Sequence, residues 1–287
     1  MSDDFTLKIK RYAPTDARLG RHVVHDSRSL RYLAPARDPA TLQSVRHHVN
    51  IGVMDQGNLG SCTGHAGTNA IASDPFWSGG SLVLATTDPH DYAVGLYSEA
   101  TKLDPWPGEW EPDDTGSDGL SVAKALLARG LVSGYTHATS LAACLTAVAE
   151  RVPIVGTNWT SSMFEPDSSG RIRPTGSIEG GHEFALDELD VNNERVWIRN
   201  SWGPSWGQEG RAYLVWDDLG TLLAADGDCT ILIPKSEPAP VPVPVPPKPK
   251  DAALAAALAQ YLRNRNAARY MRDAATPWLA DFNKENP

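Results

Sequence analysis

The stretch Gln56-Gly57-Asn58-Leu59-Gly60-Ser61-Cys62 places a thiol directly after a glycine-punctuated loop, at the first turn of an expected helix. There the thiol meets the positive end of the helix dipole, which favours thiolate over thiol. Gly57 and Gly60 let the backbone approach a ligand closely, and Gln56 together with the Cys62 N–H can donate to a developing oxyanion. Far downstream, His182 follows Gly180-Gly181 at the entry to an apolar run. Asn200 opens Asn200-Ser201-Trp202-Gly203-Pro204-Ser205-Trp206-Gly207-Gln208-Glu209-Gly210, with two Trp-Gly pairs at a fixed interval. Taken singly, each has an ordinary reading: an inert buried cysteine, a structural histidine, an asparagine turn. Together they supply a nucleophile, a base, an orienting group and oxyanion donors, the set that acyl transfer requires.

These residues need elements to hold them. Helical spacing and stop signals predict helices over 62–72, 92–103, 120–128 and 140–151, with the acidic, Pro- and Gly-rich stretch 104–117 as a loop. From Val152 onward the pattern changes, and 152–159, 183–186, 195–200, 211–216 and 229–233 read as short strands. Helices followed by strands predict an α+β protein of two lobes, a helical N-terminal one and an antiparallel β C-terminal one, with the site in the cleft between. Residues 1–50 read as an extended lead-in lying over the core, and 51–233 as the main domain. Alternating Val and Pro make 234–250 a stiff linker, and 251–287 an amphipathic helix and tail. The stretch 251–275 is expected to dock a protein partner or a second copy.

Bulk properties narrow the class. The chain has 287 residues and a net charge of −9, which disfavours nucleic acid or an anionic membrane as the main partner. No apolar run approaches the ~18 residues of a membrane span. The polar first residues lack the apolar stretch of a secretory signal, so synthesis in the cytoplasm is expected, with virion association or release by lysis as further destinations. Three cysteines, an odd number, fit a reducing compartment better than a disulfide framework. No cofactor is implied. His65, three residues after Cys62, has no second pair to complete a metal site. His22, His25, His47 and His48 are expected to be solvated. Asp113 and Asp114 either favour basic side chains of a substrate or belong to a solvated loop.

In their order, Gln-Gly-x-x-Gly-Ser-Cys, Gly-His and Asn-Ser-Trp-Gly-x-x-Trp-Gly-x-x-Gly resemble the papain family of cysteine peptidases, nearest to bacterial and bacteriophage members without a long propeptide. The likeness spans about residues 51–233. It implies that Cys62 attacks the scissile carbonyl, His182 is its base, Asn200 holds the imidazole and Trp202 shields that contact. It further implies that Gln56 and the Cys62 N–H form the oxyanion hole, and that Gly116-Ser117 and Gly181 line the substrate-binding wall. There are departures. Thr63 follows the nucleophile where an aromatic residue is usual. Glu183 follows the base where a small residue is usual, and is expected to point to solvent. Nothing matches a helical inhibitory propeptide, so regulation is expected to differ. The implied function is an endopeptidase acting on protein or peptide substrates through a thioester. The alternatives are a hydrolase of cell-wall peptide cross-links, or a phage-encoded assembly protein that keeps the fold for shape and docks through its C-terminal helix.

Overall fold

The computed structural model describes residues 6–77, 87–240 and 242. The chain divides into two units, Met1–Pro242 and Val243–Pro287. The second, with most of the Pro-rich linker and the expected terminal helix, lies outside the described residues.

Five α-helices are described: α1 (Cys62–Ile71), α2 (Pro89–Thr101), α3 (Gly119–Ala128), α4 (Leu141–Glu150) and α5 (Trp216–Ala224). Polar side chains cap the N-termini of three of them. Asp88 accepts from His90 and Asp91 N–H ahead of α2, Asp118 from Ser121 ahead of α3, and Ser140 from Ala143 ahead of α4. Helix α1 is different: Ser61 makes no side-chain cap bond, and its hydroxyl faces His65 Nδ1 at 3.2 Å. The N-terminal amides of the nucleophile's helix are thus not claimed by a cap.

The strands are β1 (Leu7–Lys10), β2 (Val23–Asp26), β3 (Val45–Arg46), β4 (Val132–His137), β5 (Ile154–Thr160), β6 (Ile178–Asp190), β7 (Arg195–Arg199), β8 (Arg211–Val215) and β9 (Asp228–Pro234). β1 and β2 form an antiparallel ribbon within the lead-in. The rest form one sheet in the order β4-β9-β5-β6-β7-β8, with β3 also on β6. Its ladders are antiparallel. The 13-residue β6 is the spine: β5 pairs along its first part and β7 along its second. Period-two alternation sends neighbouring residues to opposite faces. Val155, Phe184, Leu186 and Ile231 join a core with Leu145 and Val148 of α4 and Leu219 and Leu222 of α5. Ile154, Ala185 and Leu232 join another with Ala70 of α1, Leu96 of α2 and Leu126 of α3.

Two elements lack a clear signal in the sequence. β4 is broken by Gly134 and shifts register there. The expected strand over 211–216 ends a residue early, because Trp216 instead opens α5, with Asp217 and Asp218 in its first turn.

Buried ion pairs brace the far end of β6. Arg211 Nη2 lies 2.6 Å from Asp187 Oδ1 and 2.7 Å from Glu188 Oε2, and Asp187 and Arg211 are both buried. Removing one partner of a buried pair strands the other charge. Asp187→Ala should therefore cost about 3 kcal/mol in urea unfolding with an unchanged slope. A loss below about 1 kcal/mol would show that Glu188 alone satisfies Arg211.

Candidate active site

Cys62 opens α1 and is fully buried. Its thiol lies against the backbone of Glu183, Gly20 and Thr63. His182 sits in β6, and its Nε2 is 2.7 Å from Asn200 Oδ1. The same Oδ1 accepts the Ser201 N–H at 2.8 Å, which identifies it as the amide oxygen. An acceptor at Nε2 places the imidazole proton there and leaves Nδ1 as the basic nitrogen. Nδ1 is buried and has no hydrogen-bond partner among the described residues. The Trp202 and Trp159 rings lie 4.7 and 4.8 Å from the imidazole, and both are buried. They keep water from the His182–Asn200 bond.

The segments are tied to one another. Arg199, the last residue of β7 and the neighbour of Asn200, donates from Nε to Asn69 Oδ1 in α1 at 3.0 Å and from Nη2 to Ile51 O at 2.6 Å. Gln56 accepts from Ser201 Oγ at 2.7 Å, and its N–H donates to Ser201 O at 2.8 Å. Its Nε2 donates to Leu59 O at 2.7 Å and to Arg18 O at 3.1 Å. The structure thus ties Gln56, Ser201, Asn200, His182 and Trp202 to one another, with the Cys62 thiol against the backbone of Glu183, the residue after His182, and the Gln56 donor already faces carbonyls of its own chain.

One of those carbonyls belongs to the lead-in, which does more than lie over the core. Residues 19–22 run as a short strand between two rims. Arg21 N–H donates to Gly181 O at 3.1 Å, His22 N–H to Ser117 O at 2.8 Å, and Ser117 N–H to Gly20 O at 2.8 Å. Ser117 is steadied in turn, its hydroxyl donating to Asp104 Oδ2 at 2.8 Å. Gly116, Ser117 and Gly181 thus line the same channel, and the lead-in fills it. Leu19, Gly20, Arg21 and His22 are all buried. Upstream, Asp16 holds the Arg18 guanidinium, with Nη2 2.7 Å from Oδ2, over the Trp202 ring at 4.2 Å. The crossing over the nucleophile loop has room only for glycine: a Cβ on Gly20 would lie 1.8 Å from Gly60 O.

Burial sets the electrostatics. Burial pushes the Cys62 thiol up to about 12. Burial likewise lowers His182 to about 4, against a smaller opposing effect of the Asn200 bond. Both shifts act in the same direction, against a thiolate–imidazolium pair in the closed form.

Two expectations need correction, and a third needs an addition. Glu183 does not point to solvent; it is fully buried, with its carboxylate 3.8 Å from Arg21 Nε. His22 is not solvated: it is buried, with Nε2 2.7 Å from Thr115 O, and burial lowers it to about 4. Asp114 lies exposed in its loop, as one of the two readings expected, and it also has a structural part. It accepts from Tyr97 Oη at 2.6 Å and from Gly60 N–H at 2.8 Å, bracing the nucleophile loop. His65 has an ordinary structural role, with Nδ1 2.9 Å from Ser61 O and Nε2 3.2 Å from His90 Nδ1. Sequence reasoning missed Arg21, Trp159, Arg199 and Asp228. The signal for Arg21 was Glu183, an acid directly after the base; the others have long-range partners and leave no local signature.

Among solved structures the chain is similar to xylellain, a cysteine protease from Xylella fastidiosa, with a TM-score of 0.54 and 17% identity over 80% of this chain and 99% of that one. The fold is papain-like. Further similar structures are the recombinant stem bromelain precursor (TM-score 0.48, 15% identity, 72% of this chain and 76% of that one) and the bromelain protease of Ananas comosus in complex with the E64 inhibitor (0.40, 13%, 65% and 95%). No protein-family model and no curated protein matches the chain. No helix of the described residues is long and apolar enough to cross a membrane.

The closed site makes a kinetic prediction. With the thiol raised, Cys62 of the folded wild-type chain should be alkylated by iodoacetamide very slowly at neutral pH, and faster only in strongly alkaline solution. Gly20→Val should evict the strap, rehydrate the site and let His182 take up the proton, so that the thiol titrates lower and neutral-pH alkylation rises about a hundredfold or more. Equal rates in the two proteins would show that the strap does not guard the thiol.

Proposed function

We propose that this chain is a cysteine endopeptidase with a Cys62–His182–Asn200 triad, held latent by residues 18–22. The observation that carries the reading is the water-excluded 2.7 Å bond from His182 to Asn200, which leaves the basic Nδ1 free in a channel that also holds Cys62 at an uncapped helix N-terminus. The similarity to xylellain in fold supports the same class of reaction.

With the strap displaced, the Cys62 proton passes to His182 and the thiolate sulfur adds to the scissile carbonyl carbon. The carbonyl oxygen takes the charge and is met by the Cys62 N–H and Gln56 Nε2, the donor that now contacts the Arg18 carbonyl. The C–N bond breaks as His182 returns its proton to the leaving amine, and a thioester remains. Water then loses a proton to His182, adds to the thioester carbon and releases the acid and the thiol. The strap passes both rims rather than ending at one, which favours cleavage within chains over trimming of ends.

The test is hydrolysis of a mixed fluorogenic peptide library by full-length Gly20→Val, with intact-mass detection of an epoxide-type thiolate label. Cleavage and a single adduct are expected, both abolished by Cys62→Ala. Asn200→Ala should lower kcat/KM by about a hundredfold, the scale of losing an oriented base. A folded, labelled Gly20→Val protein that cuts no peptide would sink the peptidase reading and leave the fold as a scaffold.

A further inference from the structure

The strap also reports what the channel is built to hold. Between the two rims, the Arg21 side chain turns inward and is completely buried. Its Nη2 donates to Asp226 O at 2.7 Å and to the Asp228 carboxylate, and its Nε lies 3.8 Å from Glu183 Oε2. Glu183 is the residue after the base, and Asp228 begins β9, which pairs with β5 beside it. The recess is carved from glycine: a Cβ on Gly156 of β5 would lie 2.6 Å from both Arg21 Nε and Glu183 Oε2, and one on Gly119 2.3 Å from Glu183 Oε1. Both Glu183 oxygens and Asp228 Oδ1 are buried without hydrogen-bond partners among the described residues, and so are Arg21 Nε and Nη1, so the recess holds the guanidinium by charge and by Nη2 alone. Two carboxylates aimed into one recess, with unmet acceptor capacity, call for a cation that brings donors.

Resting on the peptidase reading above, we propose that the Glu183–Asp228 recess is a specificity pocket for an arginine side chain of the peptide substrate, which Arg21 of the chain's own strap occupies in the closed form. The rails place it so. The Ser117 and Gly181 backbones, which hold the strap, are the groups free to hold any peptide that replaces it, and the recess opens between them. A peptide held on these rails as the strap is would set a side chain over Glu183. Arginine suits the recess better than lysine because one end of its planar fork donates to an acid and a carbonyl while its other edge faces a second acid at ion-pair distance. Glu183 thus has a use that neither the triad nor the core supplies.

The test uses the full-length chain carrying Gly20→Val and Arg21→Ala to empty the channel, and Cys62→Ala to stop turnover. Binding of fluorescein-labelled hexapeptides is read by anisotropy. The peptides differ at one position: arginine, its uncharged isostere citrulline, lysine or leucine. The arginine peptide should bind about tenfold or more tighter than its citrulline twin, the scale of a charged hydrogen bond in a buried site. That ratio should fall to about threefold or less in Glu183→Gln and in Asp228→Asn. Equal binding of all four peptides, or a preference that survives both substitutions, overturns the proposal. If Gly20→Val impairs folding, the chain with Arg21→Ala and Cys62→Ala alone gives the same comparison. The two readings separate cleanly. Peptide cleavage by the Cys62 form without arginine preference would remove the pocket and keep the peptidase. Arginine-selective binding without cleavage would keep the pocket and remove the peptidase.

Discussion

A guanidinium taken wholly out of water loses several kcal/mol of hydration unless acceptors meet it. Arg21 is such a group: its Nη2 is met by two acceptors, while Nε and Nη1 are buried beside acids without a hydrogen bond among the described residues. Asp228 and the Asp226 carbonyl face it from the turn into β9, and Glu183 from β6. Those contacts draw residues 19–22 down between Ser117 and Gly181, and the strand so placed buries Cys62 and His182. The depressed basicity of the imidazole and the raised pKa of the thiol are thus consequences of where an arginine eleven residues beyond Lys10 finds its counter-ions.

The arrangement couples two requirements that pull in opposite directions. A thiol nucleophile needs to ionise, which hydration and a charged imidazole favour; a shielded thiol needs neither. In the function proposed here, one strap settles the matter by lying where a substrate would lie. Its backbone takes the rail amide and carbonyls, its Arg18 carbonyl takes the Gln56 donor, and its Arg21 side chain takes the acidic recess. Opening the channel for a substrate and restoring the conditions for ionisation are then the same event. No separate propeptide domain is needed for this, because a single glycine at position 20 lets the chain cross the nucleophile loop at backbone contact.

The catalytic frame beneath the strap is held by ties between segments distant in sequence. Arg199 links the end of β7 to α1, Gln56 links the nucleophile loop to Ser201, and Asp114 links that loop to Tyr97 of α2. Each is a buried or half-buried polar contact in which both partners are satisfied. That favours one geometry over near alternatives, since a shifted register would strand a donor or an acceptor.

Much of the fold and site was legible in the chain. Four helices stood out because helical periodicity and polar caps are local signals: α1, α3 and α4 begin within one residue of expectation and α2 three residues early, at Asp88-Pro89. The candidate nucleophile, base, orienter and oxyanion donor stood out because loop chemistry next to them is also local: glycines before Cys62, Gly181 before His182, Trp-Gly pairs after Asn200. β4 and α5 did not, since a strand broken by Gly134 and a short helix with two buried leucines carry too little pattern. Nor did the surroundings of Glu183 and His22. Whether a charged side chain is solvated or buried depends on partners more than a hundred residues away, as for Arg21 and Asp228, or on a strand crossing, as for His22. The sequence by itself determined the kinds of groups available and the elements that carry them. Only the tertiary structure decided that the lead-in enters the channel and that an acid beside the base faces an arginine, because close approach and burial arise when separate segments meet.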